Sequence, residues 1–85
     1  MEISFNGKQA LVTGAGGGFG ASTATRLYNS GATVYALDIS KPLLDLLVKE
    51  SPGIHPVVVD LAEWEATRKA VQDIGHIDLL VNNAG

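Results

Sequence analysis

Four short apolar runs alternate along the chain with longer stretches whose apolar residues recur at helical spacing. Gln9 to Val12 (QALV) is too unbroken for a strand half open to water and suits a central strand covered on both faces. From about Gly18 to Ser30, the residues Phe19, Ala24, Leu27 and Tyr28 share one helical face, and Gly31 provides the C-terminal stop. Thr33 to Leu37 (TVYAL) is rich in β-formers and reads as the second strand. Ser40 is placed to cap a second helix, with Pro42 in the first turn, where a missing N–H does no harm. Leu43, Leu44, Leu47 and Val48 would form its buried face, and Ser51-Pro52-Gly53 breaks it. Val57 to Val59 is a third strand with Pro56 at its entrance. Asp60 and Glu63 then have the spacing of a capping box for a third helix. On that helix Trp64, Thr67, Val71 and Ile74 recur at helical spacing, while Glu65 and Lys69 pair one turn apart on the wet side. Ile77 to Val81 (IDLLV) is the fourth strand.

The order βαβαβαβ with short connections predicts an α/β fold, a doubly wound parallel sheet. Right-handed crossovers put the first strand between the second and the fourth, giving the order 3-2-1-4. A topological switch point then lies beside the first strand, and ligands of such sheets bind in the crevice outside the carboxyl ends of the strands. The loop after the first strand, Asp38, Asp60 and Asn82-Asn83 all fall just past a strand's carboxyl end. Four separate positions therefore converge on one edge.

The loop itself, Thr13 to Gly20 (TGAGGGFG), has glycine at 14, 16, 17, 18 and 20. Glycine packs nothing and costs backbone entropy, so this much of it calls for either a tight turn or a ligand that needs bare backbone. The start of a helix leaves several N–H groups without acceptors and carries about half a positive charge, which suits a pyrophosphate. A P-loop is excluded, because no Lys-Ser or Lys-Thr follows these glycines. Gly16, Gly18 and Ala21 also satisfy the general fingerprint G-x-G-x-x-[GA], so both ways of writing the loop point to a dinucleotide. Asp38 ends the second strand about twenty residues on, where a carboxylate accepts from ribose hydroxyls; an ordinary strand-end or helix-capping acid is the other reading. A 2′-phosphate set against that carboxylate would cost on the order of a few kcal/mol, so NAD(H) is favoured over NADP(H). Ile39 and Gly17 bring no cation to offset it, and only Lys41 is near in sequence. Asp60 has two readings, a cap for the third helix or an acceptor for the adenine amino group beside the Leu61 N–H.

Composition narrows the partners. A net charge of −3 gives no basic footprint for nucleic acid. Without cysteine there is no disulfide framework, thiolate metal site or thiol nucleophile, in keeping with a cytoplasmic setting. His55 and His76 stand apart, which argues against a metal site. The start, MEISFNGKQ, lacks the apolar core of a signal peptide, and no apolar run is long enough for a bilayer, so no membrane partner is expected. Eighty-five residues are few for covering both faces of a parallel sheet. Residues 1–85 are accordingly read as the amino-terminal dinucleotide-binding part of a longer single domain, with its sheet incomplete.

Three motifs carry a resemblance that runs the length of the chain. Thr13, Gly14, Gly18 and Gly20 (T-G-x-x-x-G-x-G), Asp60-Leu61 after the third strand, and Asn82-Asn83-Ala84-Gly85 after the fourth resemble the classical subgroup of the short-chain dehydrogenase/reductase family. The extended subgroup's T-G-x-x-G-x-x-G can also be written over Gly14, Gly17 and Gly20, so Asn82 to Gly85 carries the distinction. The resemblance implies a Rossmann-type fold and an oxidoreductase that interconverts alcohols and carbonyls of small molecules with a nicotinamide dinucleotide. It puts Gly14, Gly18 and Gly20 on the pyrophosphate, with Gly16 and Phe19 of the same loop also at the cofactor. Asp38 would meet the ribose, with Ile39 beside it also at the cofactor, Asp60 and Leu61 would meet the adenine, and Asn82, Ala84 and Gly85 would line the adenosine ribose.

More narrowly, SPGIHPVVVDLAEWEAT and IDLLVNNA are similar to the L-xylulose (dicarbonyl) reductase group. That group prefers NADP(H) and carries basic residues where this chain has Gly17 and Ile39. The family's proton-transfer set, Tyr-x-x-x-Lys with Ser and a further Asn, is absent: Ala32 stands four residues after Tyr28, and Ile39 four after Tyr35. No catalytic residue is named, and the piece alone is expected to be inactive. For the complete protein the resemblance implies a homo-oligomer, tetramer or dimer. A non-catalytic dinucleotide-binding module and a nonfunctional truncated fragment stand as alternatives.

Overall fold

The structure, a computed structural model, describes residues 4–83. Strand β1 (Gln9–Thr13) lies inside a four-stranded sheet because both of its faces are apolar. Ala10 and Val12 point to one face and Leu11 to the other, each almost wholly buried. Strand β2 (Thr33–Asp38) pairs with it in parallel, Gln9 opposite Thr33 and Thr13 opposite Leu37. Strand β4 (Leu79–Asn82) pairs on the other side, Ala10 opposite Leu79 and Thr13 opposite Asn82. Strand β3 (His55–Val58) pairs with β2, so the order is β3-β2-β1-β4, all parallel, as the connection rules predict. The strands begin or end within a residue or two of the predicted bounds, and Pro56 is the second residue of β3 instead of its entrance.

Helices α1 (Gly18–Asn29) and α2 (Lys41–Glu50) cover one face of the sheet. Ala24 and Leu27 of the first and Leu44 and Leu47 of the second close over Ala10, Val12, Val34 and Ala36. Ser40 caps α2 as expected, its Oγ accepting from the Leu43 N–H at 3.4 Å. Helix α3 (Trp64–Ile74) lies on the other face, over Leu11, Leu37 and Val59.

Several side chains depart from the periodicity. Phe19 is 87% exposed and takes no part in the buried face of α1, because the first turn of that helix overhangs the carboxyl edge of the sheet. Leu43 (43% exposed) is likewise at the open end of α2, and Trp64 (70% exposed) at the open end of α3. The expected capping box does not form. Glu63 is the N-cap of α3 and makes no side-chain cap bond, while Asp60 Oδ1 accepts from the Ala62 N–H at 2.9 Å in a local turn. The Asp60 carbonyl takes the Glu63 N–H at 2.8 Å and the Thr67 hydroxyl at 3.3 Å, so the turn preceding the helix is held by backbone. Among the described residues Glu65 meets Arg68 at 4.0 Å, one turn along, instead of Lys69.

Candidate functional site

The carboxyl ends of β1, β2 and β3 open into a cleft of about 210 Å³ lined by Gly14, Asp38, Ile39, Val59, Asp60 and Leu61. The sheet assembles it: the three strands are neighbours, so residues far apart in sequence stand side by side past their ends. Five of the six lining residues are sequence-predicted site residues. Val59, the sixth, directly follows β3 and carries no sequence signal beyond burial.

The loop between β1 and α1 is shaped by its own contacts. Gly14 has φ +63°, a left-handed conformation open to glycine at little cost. The Ala15 N–H reaches the Leu37 carbonyl at 3.1 Å, prolonging the β1–β2 ladder past the strand end. Gly20 is buried because α1 presses on the loop there; a Cβ at this position would overlap the Gly14 carbonyl. A Cβ on Gly18, by contrast, would meet nothing within 4 Å. Gly17 serves as N-cap without a side-chain bond, and among the described residues no acceptor lies within hydrogen-bond reach of the Gly18, Phe19 and Gly20 amides. The first turn of α1 therefore keeps three amide donors unpaired among the described residues, with open space beside Gly18.

Asp38 sits at the opposite wall of the loop. Its Oδ2 accepts from the Gly16 N–H at 2.9 Å and its Oδ1 from the Ser40 N–H at 2.9 Å. Ile39, next to it, is largely exposed toward the cleft. Lys41, the nearest cation in sequence, is paired with Asp45 at 2.9 Å on the surface of α2.

Asn82 lies on the other flank, opposite Thr13 in the β1–β4 register. The Thr13 hydroxyl donates to Asn82 Oδ1 at 2.9 Å and accepts from the Asn83 N–H at 3.1 Å, tying the ends of β1 and β4 together. Thr13 is almost fully buried, and its neighbour Leu37 and the loop amide of Ala15 lie beside this tie. Asn82 and Thr13 border a second, larger cavity of about 570 Å³ beneath α3, not the cleft. Phe19 and Gly18 line neither space. Ala84 and Gly85 lie outside the described residues. The bonding of Asp38 to the loop is the feature that sequence reasoning missed, since a strand-end acid carries no signal of which amide it will meet.

Tyr28 and Tyr35 stand within core elements, Tyr35 stacked on His55 with ring centroids 4.9 Å apart. At the other end of the sheet, Asp78 Oδ2 accepts from the Gln9 N–H at 2.9 Å and Oδ1 from the His76 ring at 2.7 Å. The Gln9 side chain donates to the His76 carbonyl. The backbone bond from Gln9, and then the His76 contact, hold the Asp78 carboxyl below the ordinary value of 3.8.

A parallel 3-2-1-4 sheet with a glycine-rich turn into its first crossover helix, an acid closing the second strand and a Thr–Asn tie between the first and fourth defines a class. The chain belongs to the short chain dehydrogenase family, whose pattern matches residues 8–85. It is 52% identical over 84 residues to L-xylulose reductase of Mus musculus, covering 99% of this chain and 34% of that protein. It is 51% identical over 84 residues to carbonyl reductase [NADPH] 2 of Sus scrofa, again 99% of this chain and 34% of the relative. Among solved structures, 2-keto-3-deoxy-D-gluconate dehydrogenase from Streptococcus agalactiae superposes with a TM-score of 0.79 at 40% identity, over 99% of this chain and 35% of that one. The chain thus spans about a third of the length of the curated relatives it matches. Among the described residues no helix is long and apolar enough to cross a membrane.

Proposed function

We propose that this chain is the dinucleotide-binding, amino-terminal part of a short-chain oxidoreductase that interconverts an alcohol and a carbonyl, and that it takes NAD(H) in preference to NADP(H). One observation carries the proposal: the Gly18, Phe19 and Gly20 amides have no partner among the described residues, at the helix start reached from Gly14, which walls a cleft with Asp38, Ile39, Asp60 and Leu61. These residues fit such a cofactor. The α1 amides suit a pyrophosphate, because their partial positive charge and the missing Cβ on Gly18 let an anion approach. Asp38 would hold the ribose hydroxyls, and Ile39 and Leu61 would flank the adenine with Asp60 at its rim. Asn82, and by the family resemblance Ala84 and Gly85, would line the adenosine ribose. When bound, the cofactor supplies a hydride acceptor or donor; the residues of this chain bind and orient it.

The cofactor preference rests on charge. The Asp38 carboxylate would repel a 2′-phosphate, Gly17 and Ile39 offer no cation, and Lys41 is engaged by Asp45. The name of the pig relative includes NADPH, whereas this chain has the uncharged Gly17 and Ile39 beside Asp38. The substrate of the complete protein, by similarity to its relatives, is a small sugar-derived or dicarbonyl compound. A cytoplasmic homo-oligomer is part of the same reading.

Titration of the ¹⁵N-labelled chain with NAD⁺ tests the ligand. The Gly17–Gly20 and Asp38 amides should move and saturate; a well-folded chain whose loop signals stay still refutes the proposal. The isolated chain should show no turnover with NADH and assorted dicarbonyls, since neither Tyr28 nor Tyr35 has a lysine four residues on.

A further inference from the structure

We infer that Asp38 is also the positioning residue of the glycine loop, holding it in its anion-binding shape before any cofactor arrives; this rests on the dinucleotide reading above. A carboxylate offers about four acceptor sites on its two oxygens, so Asp38 can hold backbone amides and still receive ribose hydroxyls. Here each oxygen is already engaged, Oδ2 by the Gly16 N–H and Oδ1 by the Ser40 N–H, both at 2.9 Å. One side chain therefore pins the β1–α1 loop to the β2–α2 turn. Bonds from amides to a charged acceptor are among the stronger ones a protein makes.

The fit around Gly16 shows that the contact is built in. A Cβ at residue 16 would stand 2.8 Å from the Leu43 Cβ and 3.0 Å from Asp38 Oδ2, so only glycine lets the loop lie against the acid and α2. Gly16 thus differs in purpose from Gly18. Its bareness serves Asp38, while the bareness of Gly18 faces open space. With the Gly16 amide taken by Asp38 and the Gly17 amide by the Gly14 carbonyl at 3.3 Å, the Gly18, Phe19 and Gly20 amides are the loop donors left without a partner among the described residues. The gain is preorganisation: the ordering of the loop precedes binding.

Electrostatics and positioning make opposite predictions for a ligand without a ribose. If Asp38 only binds ribose and repels anions, removing its charge leaves inorganic pyrophosphate binding unchanged or improves it. If Asp38 holds the loop, Asp38→Ser weakens pyrophosphate binding although a repelling charge has gone. The experiment uses the ¹⁵N-labelled 85-residue chain and reads amide exchange without ligand, followed by pyrophosphate and NAD⁺ titrations. Asp38→Ser should speed Gly16 amide exchange about tenfold or more, from the loss of a hydrogen bond to a charged group, and weaken pyrophosphate several-fold. Gly16→Ala, which keeps the charge but cannot seat against it, should weaken pyrophosphate similarly and covers the case in which Asp38→Ser does not fold. Unchanged Gly16 exchange, or pyrophosphate binding equal to or tighter than wild type in Asp38→Ser, overturns the inference. If the wild-type chain binds neither pyrophosphate nor NAD⁺, the dinucleotide reading fails, and Gly16 exchange alone decides whether Asp38 holds the loop.

Discussion

The two faces of the sheet are built differently. On the α1–α2 face, Val12, Val34, Ala36, Ala24 and Leu44 are completely shut off from water, and the helices sit close over the strands. On the α3 face, among the described residues, only Leu11, Leu37 and Val59 are buried, α3 contributes no buried residue, and a cavity of about 570 Å³ separates it from β1 and β4. Yet α3 shows a clear amphipathic pattern. Periodicity states which side of a helix is apolar, but burial depends on what the neighbouring elements bring to that side. The glycine loop and Asp38 belong to the dense face: Gly20 presses on Gly14 and Leu43 stands over Gly16. The candidate anion site thus rests on the rigid half of the molecule, where a small displacement is resisted by close packing.

That contrast can be broken by paired substitutions read in urea denaturation. Leu44→Ala, in the dense face, should cost about 2–5 kcal/mol through lost burial and the cavity left behind. Gly20→Ala should cost about 3 kcal/mol, because the added methyl collides with the Gly14 carbonyl and must push α1 off the loop. Val71→Ala, its counterpart on the thin face, should cost only about 1 kcal/mol, since its side chain is half-buried and borders an existing cavity. A Val71→Ala loss equal to that of Leu44→Ala would erase the distinction between the faces. Trp64→Ala should fall within about 0.5 kcal/mol of the parent, as expected of a side chain that is mostly in water. Amide exchange should rank the same way, with α3 opening at lower free energy than α1.

The smallest effect concerns Asp78 at the amino end of the sheet. Its folded carboxyl lies below the ordinary value of 3.8, so it contributes stability above that value and loses the contribution as pH falls through the lower, folded one. Asp78→Asn should lower stability slightly at neutral pH, where the carboxylate contributes, and leave strongly acid pH nearly unchanged, so that the acid side of the profile is flatter; the effect is small because the group is exposed. A profile identical to the parent's would show that the Gln9 and His76 contacts add nothing.

Much of the fold was legible beforehand. The unbroken apolar run of β1 placed it inside the sheet, and the alternation of elements with short connections led to the 3-2-1-4 order. Gly14, Asp38, Ile39, Asp60 and Leu61 were each legible as residues just past a strand end, and the structure brings them to one cleft. The failures cluster at helix starts. Phe19, Leu43 and Trp64 have the spacing of core residues but stand in the first turns of their helices and remain exposed. The Asp60–Glu63 spacing suggested a capping box, yet the turn before α3 uses Asp60 for Ala62 and leaves Glu63 in the cap position.

Chain order, the strand-and-helix alternation and the chemistry available at each strand end were properties of the sequence alone, because they depend on local periodicity and on the handedness of crossovers. Tertiary structure alone decided which amide Asp38 would hold, why Gly16 and Gly20 must lack a side chain, and how unequally the two faces would pack. Those outcomes depend on distances between segments remote in sequence, and such distances are set only when the elements dock.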